Sequence, residues 1–294
     1  MKSKLCDMLG IEFPLIAFSH CRDVVVEVSK AGGLGVLGAA SFSAEQLEIE
    51  LTWIDEQLAG TPYGVDLIAP TSMAVTEEND SFEDIKGLVP DNYRQFASSI
   101  LEKHDIDSTG VYADEYEKNA FLTKGQAGNI IDVAFSHPIK LIANALGVPP
   151  AYMIEMGRRH GVATAALIGT KEHAIKQVQA GVDIVVASGT EAGGHCGEVS
   201  TMVVVPEVIK AVKQIRDVPV LAAGGIMTGR QMAAAMAMGA AGAWTGSVWL
   251  ATVESETTET FRQKMIAASS RDAVRSRGRT GKPARQLRSV WTDA

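Results

Sequence analysis

The residues best suited to chemistry lie between Gly189 and Glu198, where the sequence reads Gly-Thr-Glu-Ala-Gly-Gly-His-Cys-Gly-Glu. This stretch follows an apolar run at residues 183–187, a pattern that predicts a buried strand opening into a glycine-rich loop. Glycine lets a backbone approach a ligand closely, and histidine is the side chain best suited to proton transfer near neutral pH. His195 is therefore our candidate catalytic base; the alternative is a structural, hydrogen-bonded histidine.

Other histidines and cysteines give weaker signals. Cys196 adjoins His195, but no Cys-x-x-Cys or His-x-x-x-His spacing accompanies it, so we expect no metal site. His20 follows the first predicted strand and is a secondary candidate. His137 precedes the fourth predicted strand, at the opposite end of the sheet, and we interpret it as structural.

Short apolar, β-branched runs recur along the chain and alternate with segments of helical periodicity, which is typical of a parallel sheet buried on both faces. We predict strands at residues 14–18, 34–38, 63–68, 139–144, 163–168, 183–187, 218–223 and 243–246. Eight strands alternating with helices over about 250 residues favour a (β/α)8, or TIM, barrel over a doubly wound sheet. We expect one α/β domain spanning residues 1–294.

Helix starts are marked by capping residues. Ser43 with Gln46, and Thr228 with Gln231, match the capping-box pattern ahead of apolar stripes. Residues 33–38 match G-x-G-x-x-G, but a helix precedes them and a strand follows. Because a dinucleotide site needs the reverse order, we exclude a Rossmann motif here.

Two further glycine-rich turns follow the seventh and eighth predicted strands. Gly224 and Gly225 end the seventh, and Gly246 and Ser247 end the eighth. Barrels often bind a phosphate group between these two loops through exposed backbone N–H groups. The sequence therefore predicts a cofactor that carries a phosphate.

Two segments depart from the barrel pattern. An acidic, helical insertion is predicted after the third strand, at about residues 71–128, on the side where barrel active sites form. The segment at about residues 262–294 is basic. Its cations are either a solvated face, which we favour, or a tail closing over an anionic ligand.

Composition bounds the class of protein. The 294 residues are 46% hydrophobic and 21% charged, with a formal net charge of −8 and three cysteines. The acidic balance argues against nucleic acid as a partner, and the cysteine usage fits a reducing compartment. No signal-peptide core and no apolar run of membrane length is present. We expect a cytoplasmic protein without membrane contact, and self-association into a homo-oligomer is left open.

Several segments together form a recognisable pattern: Gly189 to His195, Thr201-Met202, Val205-Pro206, Ala222-Ala223-Gly224-Gly225-Ile226, Ala31-Gly32-Gly33-Leu34-Gly35 and Gly281-Lys282-Pro283-Ala284-Arg285. They resemble the nitronate monooxygenase family, formerly called 2-nitropropane dioxygenase, which includes FMN-dependent enoyl-ACP reductases. The likeness covers nearly the whole chain except the acidic insertion. Members commonly extend beyond the position of Ala294, so a truncated form is one expectation.

The resemblance implies a TIM barrel that holds FMN non-covalently and no metal. His195 matches the family's catalytic histidine, and the loops at Gly224, Gly225, Gly246 and Ser247 match its FMN phosphate loops. Further residues implied to lie beside the cofactor are Phe18, Asp66, Ser188, Ala192, Gly193, Gly194 and Ala223.

Three positions depart from the family pattern. Phe18 stands where a Pro-Met or Gly-Met pair is common, and Asp66 replaces a common asparagine. Ser247-Val248-Trp249 stands where Arg-Phe is frequent. Because a carboxylate disfavours an anionic reduced flavin, we expect Asp66 to be turned away or hydrogen-bonded.

The leading functional hypothesis is oxidation of alkyl nitronates with O2, with a small nitronate or nitroalkane as substrate and His195 as base or hydrogen-bond donor. One alternative is an FMN-dependent NAD(P)H reductase acting on a quinone or an enoyl thioester. Another is a flavin-binding protein without turnover.

Overall fold

The computed structural model describes residues 2–69, 90–108 and 124–293. Eight parallel strands close into a barrel in the order β1-β2-β3-β4-β5-β6-β8-β9. These strands are β1 (Leu15–Ser19), β2 (Leu34–Gly38), β3 (Gly64–Leu67), β4 (Leu141–Asn144), β5 (Ala163–Ile168), β6 (Ile184–Ser188), β8 (Val220–Ala223) and β9 (Gly242–Thr245). The predicted TIM barrel is confirmed, and the predicted strand limits differ from these by two residues at most.

Helices lie before, between and after the strands. They are α1 (Lys4–Leu9), α2 (Arg22–Lys30), α3 (Ala44–Leu58), α4 (Asp91–Lys103), α5 (Lys124–Ser136), α6 (Ala151–His160), α7 (Lys171–Ala180), α8 (Thr201–Lys213), α9 (Gly229–Ala237), α10 (Glu259–Ala267) and α11 (Val290–Asp293). Short 3-10 helices span Ser247–Ala251 and Ser270–Asp272. Both predicted capping boxes are present, with Ser43 accepting from the Gln46 N–H and Thr228 from the Gln231 N–H.

The strands separate two apolar layers because successive side chains point to opposite faces. Inward-facing residues such as Ile16, Val36 and Leu141 fill the barrel. Outward-facing residues such as Val65 and Leu67 pack against α3 and α5. The same alternation places Phe18, Asp66, Ser188 and Ala223 on the inner face, at the carboxyl ends of their strands.

A second, antiparallel sheet was not predicted. It has the order β10-β11-β7, formed by Ala273–Ser276, Ala284–Leu287 and Gly194–His195. The exposed Arg277, Arg279 and Lys282 fit the favoured interpretation of the basic segment as a solvated face, although its backbone forms part of this sheet. A hairpin of that segment, here called the C-terminal hairpin (residues 273–287), pairs with the strand that carries His195.

The acidic insertion is described only in part. Helix α4 lies within the predicted helical region, while residues 70–89 and 109–123 lie outside the described ranges. In the described ranges, none of the helices combines the length and apolarity that a membrane span needs.

Candidate active site

Three loops meet at the carboxyl ends of β6, β8 and β9. The loop after β6 is packed against the loop after β8 so closely that a Cβ on Gly224 would lie 2.8 Å from the Ala192 nitrogen. It also touches the turn after β9, because a Cβ on Gly193 would lie 2.1 Å from the Ser247 hydroxyl oxygen. The structure thus brings together the predicted residues of all three loops. We call this assembly the cradle (residues 188–194, 223–226 and 246–248).

Glu191 and Thr201 fix the shape of the cradle. The Glu191 carboxylate accepts hydrogen bonds from the Thr201 backbone N–H and hydroxyl, both at 2.9 Å. The Thr201 hydroxyl oxygen also lies 3.1 Å from the Gly224 carbonyl oxygen. Thr201 belongs to a segment that resembles the family, but nothing in its spacing showed that it would brace two loops.

Backbone donors in the cradle remain unpaired. In the described part of the chain, the N–H groups of Gly225, Ile226, Ser247 and Val248 have no hydrogen-bond acceptor. Neighbouring backbone groups are hydrogen-bonded to the Gln231 side chain, which accepts from the Met227 N–H and donates to the Gly225 carbonyl. Four free N–H groups at adjacent strand ends can donate hydrogen bonds to an anionic group such as a phosphate.

Aromatic residues form the floor beside the cradle. The Phe18 ring stacks on Trp244 with ring centroids 6.4 Å apart, and a Cβ on Gly246 would lie 3.7 Å from the same ring. On its other side Phe18 meets the His20 ring edge-on at 5.1 Å. His20 Nδ1 lies 3.0 Å from the Gly38 carbonyl oxygen, so this secondary candidate has a backbone partner.

Asp66 enters the mouth from β3. The side chain lies on the inner face and is 3% exposed, and its Oδ1 has no hydrogen-bond partner. Burial raises the pKa of Asp66 from 3.8 to about 7, against a smaller lowering by the Leu67 backbone. The expected hydrogen bond is supplied only in part, by the Leu67 backbone, while Oδ1 has no partner. With this pKa the carboxyl group is mostly neutral below pH 7.

His195 does not lie in a free loop but on strand β7. Its Nε2 lies 2.6 Å from the Thr280 hydroxyl oxygen at the tip of the C-terminal hairpin. Partial burial, together with the cations of Lys282 and Arg279, lowers the pKa of His195 below 6.5. The imidazole is thus biased toward its neutral form, which can accept a proton.

His137 behaves as predicted for a structural residue. Its Nδ1 lies 2.7 Å from Asp55 and its Nε2 lies 3.2 Å from Glu48. A separate apolar cavity of about 250 Å³ lies between β1, α2 and Trp249. None of the predicted site residues lines this cavity.

The described residues form a closed (β/α)8 barrel with free N–H donors at its last strand ends, an arrangement in which barrel enzymes commonly bind phosphate groups. The nitronate monooxygenase family model matches residues 2–294, so the chain belongs to that family. The chain is accordingly an oxidoreductase.

Individual relatives agree with this assignment. The chain is 49% identical to "Putative monooxygenase Rv1533" of Mycobacterium tuberculosis, over 100% of this chain and 78% of that protein. Among solved structures it is similar to nitroalkane oxidase from Streptomyces ansochromogenes, with a TM-score of 0.77, 25% identity and coverage of 98% and 80%. FabK from Thermotoga maritima gives a TM-score of 0.74, 25% identity and coverage of 100% and 76%.

Proposed function

We propose that this chain is an FMN-dependent monooxygenase that oxidises alkyl nitronates with O2. Family membership supports the reaction class. The single structural observation that carries the cofactor assignment is the set of four unpaired N–H donors in the cradle, at Gly225, Ile226, Ser247 and Val248. FMN, when bound, supplies the electron-accepting ring system and the reaction with O2.

The residues present fit FMN at both of its ends. The free N–H donors suit the terminal phosphate, and the Ser247 hydroxyl adjoins them. Phe18 offers an apolar surface to a flat ring. Asp66 supplies a buried oxygen that lacks a partner, which a polar atom of the ring system can satisfy. We expect Ser188, Ala192 and Ala223 to lie beside the cofactor between these two ends.

His195 is the proposed base. A neutral nitroalkane must lose a proton from carbon before it becomes a nitronate, and a positioned base typically contributes 10²–10⁴ in rate. Partial burial and the cations of Lys282 and Arg279 lower the pKa of His195, which favours the uncharged imidazole. The same two cations favour an anionic substrate, so the nitronate is attracted to the place where it is formed.

A second candidate function is reduction of a quinone or an enoyl thioester with NAD(P)H. The similarity to FabK supports it. Lys282 and Arg279 make no ion pair in the described ranges and suit the phosphates of a nucleotide as well as they suit a nitronate.

The cofactor proposal is tested by releasing the flavin from purified protein. We expect a yellow protein that releases FMN on denaturation, identified by chromatography against FMN and FAD standards. Protein purified without flavin should bind FMN stoichiometrically on titration. Recovery of FAD, or failure to bind FMN at all, would overturn the proposal.

A further inference from the structure

We propose that Thr280 is a positioning residue for His195. Its hydroxyl oxygen accepts a hydrogen bond from Nε2–H, fixes the imidazole in that tautomer and leaves Nδ1 as the atom that accepts the substrate proton. The inference rests on the proposed role of His195 as a base, and it extends the site to a segment outside the barrel.

The first support is the geometry around the imidazole. Thr280 Oγ1 lies 2.6 Å from His195 Nε2, although the two residues are 85 positions apart in sequence. The backbone of His195 is itself fixed, since it pairs with Ala284 in the second sheet and the next N–H, that of Cys196, donates to the Pro283 carbonyl at 3.2 Å. Strand pairing therefore sets the distance between the Thr280 hydroxyl and the ring.

The second support is the anchoring of the C-terminal hairpin to the loop after β6. Arg285 Nε donates to the Thr190 carbonyl at 2.7 Å, and Arg285 Nη1 donates to the Ala273 carbonyl at 3.0 Å. Arg275 pairs with Glu198 at 3.4 Å, at the other end of the same loop. Arg275 and Arg285 lie opposite each other on the two strands of the hairpin, so both strands are anchored near the turn that carries Thr280.

The tautomer follows from the properties of imidazole. A neutral ring has one N–H donor and one lone-pair acceptor. In the described ranges Nδ1 has no hydrogen-bond partner, whereas Nε2 is occupied by Thr280. A base needs its lone pair on the free nitrogen, so the proton must lie on Nε2. A threonine hydroxyl can accept that proton's hydrogen bond.

Charges around the ring act in the same direction. Lys282 and Arg279 come from the C-terminal hairpin and oppose a positive charge on the imidazole. On the loop after β6, Glu191 is held by Thr201 and Glu198 is paired with Arg275, so both acids have other partners. Cys196 follows His195 directly in the chain and carries a free thiol.

The test measures the histidine directly, by ¹⁵N NMR of the FMN-loaded protein labelled at histidine. We expect wild-type His195 near pH 7.5 to carry its proton on Nε2. Thr280→Val should give a mixture of tautomers and a shifted His195 pKa, and Thr280→Ser should restore the wild-type spectrum. The matched control is Thr292→Val, whose hydroxyl interacts with Ser289 at the far end of the segment. A wild-type Nδ1–H tautomer, or an unchanged spectrum in Thr280→Val, would overturn the proposal.

Kinetics provide a second readout. Thr280→Val should lower kcat with a neutral nitroalkane about tenfold or more, because the base is misplaced, and should change the rate with preformed nitronate little. Equal losses on both substrates would contradict a positioning role in proton transfer. If the wild-type protein oxidises neither substrate, the proposed function fails, while the NMR result still decides whether Thr280 fixes the tautomer.

Discussion

The two sides of the barrel mouth offer different chemical groups to a ligand. On the side of β6, β8 and β9, the cradle offers backbone N–H groups held in place by glycines and by the Glu191–Thr201 contact. On the side of β3, the contribution comes from one side chain, Asp66, which is buried with an unpartnered oxygen. Backbone donors do not titrate, whereas a carboxyl group does. The comparison therefore predicts that the protein groups at the phosphate end do not titrate, whereas Asp66 at the ring end does.

The C-terminal hairpin adds a third element, which belongs to neither side. It approaches His195 from outside the barrel, and we propose that it affects the protonation of this residue rather than the binding of the cofactor. Substitutions in the cradle should therefore weaken the binding of FMN. Substitution of Asp66 should change how stability depends on pH, and substitution of His195 should slow proton abstraction.

The largest effect is expected for His195→Asn. With a neutral nitroalkane the variant should lose about 10²–10⁴ in kcat, because proton abstraction loses its base. With preformed nitronate the loss should be much smaller, since that proton is already removed and asparagine retains a hydrogen-bond donor. The measurement is O2 consumption with each substrate. Equal losses would assign His195 to anion binding instead, and no loss would make it structural.

The next largest effect is expected for Gly246→Val. A Cβ at this position makes an ordinary contact with Phe18, but a branched side chain would crowd the free N–H groups of Ser247 and Val248. We expect FMN affinity to fall about 100-fold, by loss of charge-assisted hydrogen bonds. Riboflavin, which lacks the phosphate, should bind about as well as it binds the wild-type protein. Both affinities are measured by flavin fluorescence titration.

Gly229→Val is the matched control, because a Cβ there meets nothing within 4 Å. Gly224 is a poorer probe. Its φ of +109° and its approach to Ala192 require glycine whether or not a phosphate binds. If Gly246→Val weakened the binding of FMN and of riboflavin equally, the proposal that the cradle binds the phosphate would be wrong.

The smallest effect is expected for Asp66→Asn in flavin-free protein. Burial raises the native pKa of Asp66 to about 7, from 3.8. The folded state therefore holds this proton more tightly than the unfolded state, so stability from this group is present at acidic pH and is lost as pH rises toward 7. Between pH 5.5 and 8.5 the linkage relation gives a further loss of about 2 kcal/mol at most.

The asparagine variant cannot titrate at this position. Its free energy of unfolding relative to wild type, measured in urea at both pH values, should therefore increase by up to about 2 kcal/mol at the higher pH. If the difference in the free energy of unfolding does not change with pH, Asp66 is already ionised in the folded protein at the lower pH. The two sides of the barrel mouth would then not differ in their response to pH.

Much of this architecture was predictable from sequence because its signals are local. Continuous apolar runs identified the eight barrel strands, and the Ser43 and Thr228 capping boxes marked two helix starts. Glycines after the last two strands indicated where free N–H donors would lie. Each of these features depends on residues that are close together in the sequence, so it can be recognised from one sequence.

The rest depends on contacts that sequence patterns do not record. Strand β7 is two residues long, which is too short to show a periodic pattern. The C-terminal hairpin has arginines at alternate positions from 275 to 279 and no run of apolar residues. Their pairing, and the Thr280 contact that results, exists only in three dimensions. Asp66 was identified by its departure from the family pattern, but its missing partner and raised pKa depend on burial inside the barrel.

The most direct test of the central claim is anaerobic reduction of the FMN-loaded protein, followed by the flavin absorbance near 450 nm. An alkyl nitronate and NADH are added separately, without O2. We predict that the nitronate bleaches the flavin rapidly, that NADH does not, and that admission of O2 restores the colour. Bleaching by NADH alone would instead establish the reductase function, and bleaching by neither would leave a flavin-binding protein without this activity.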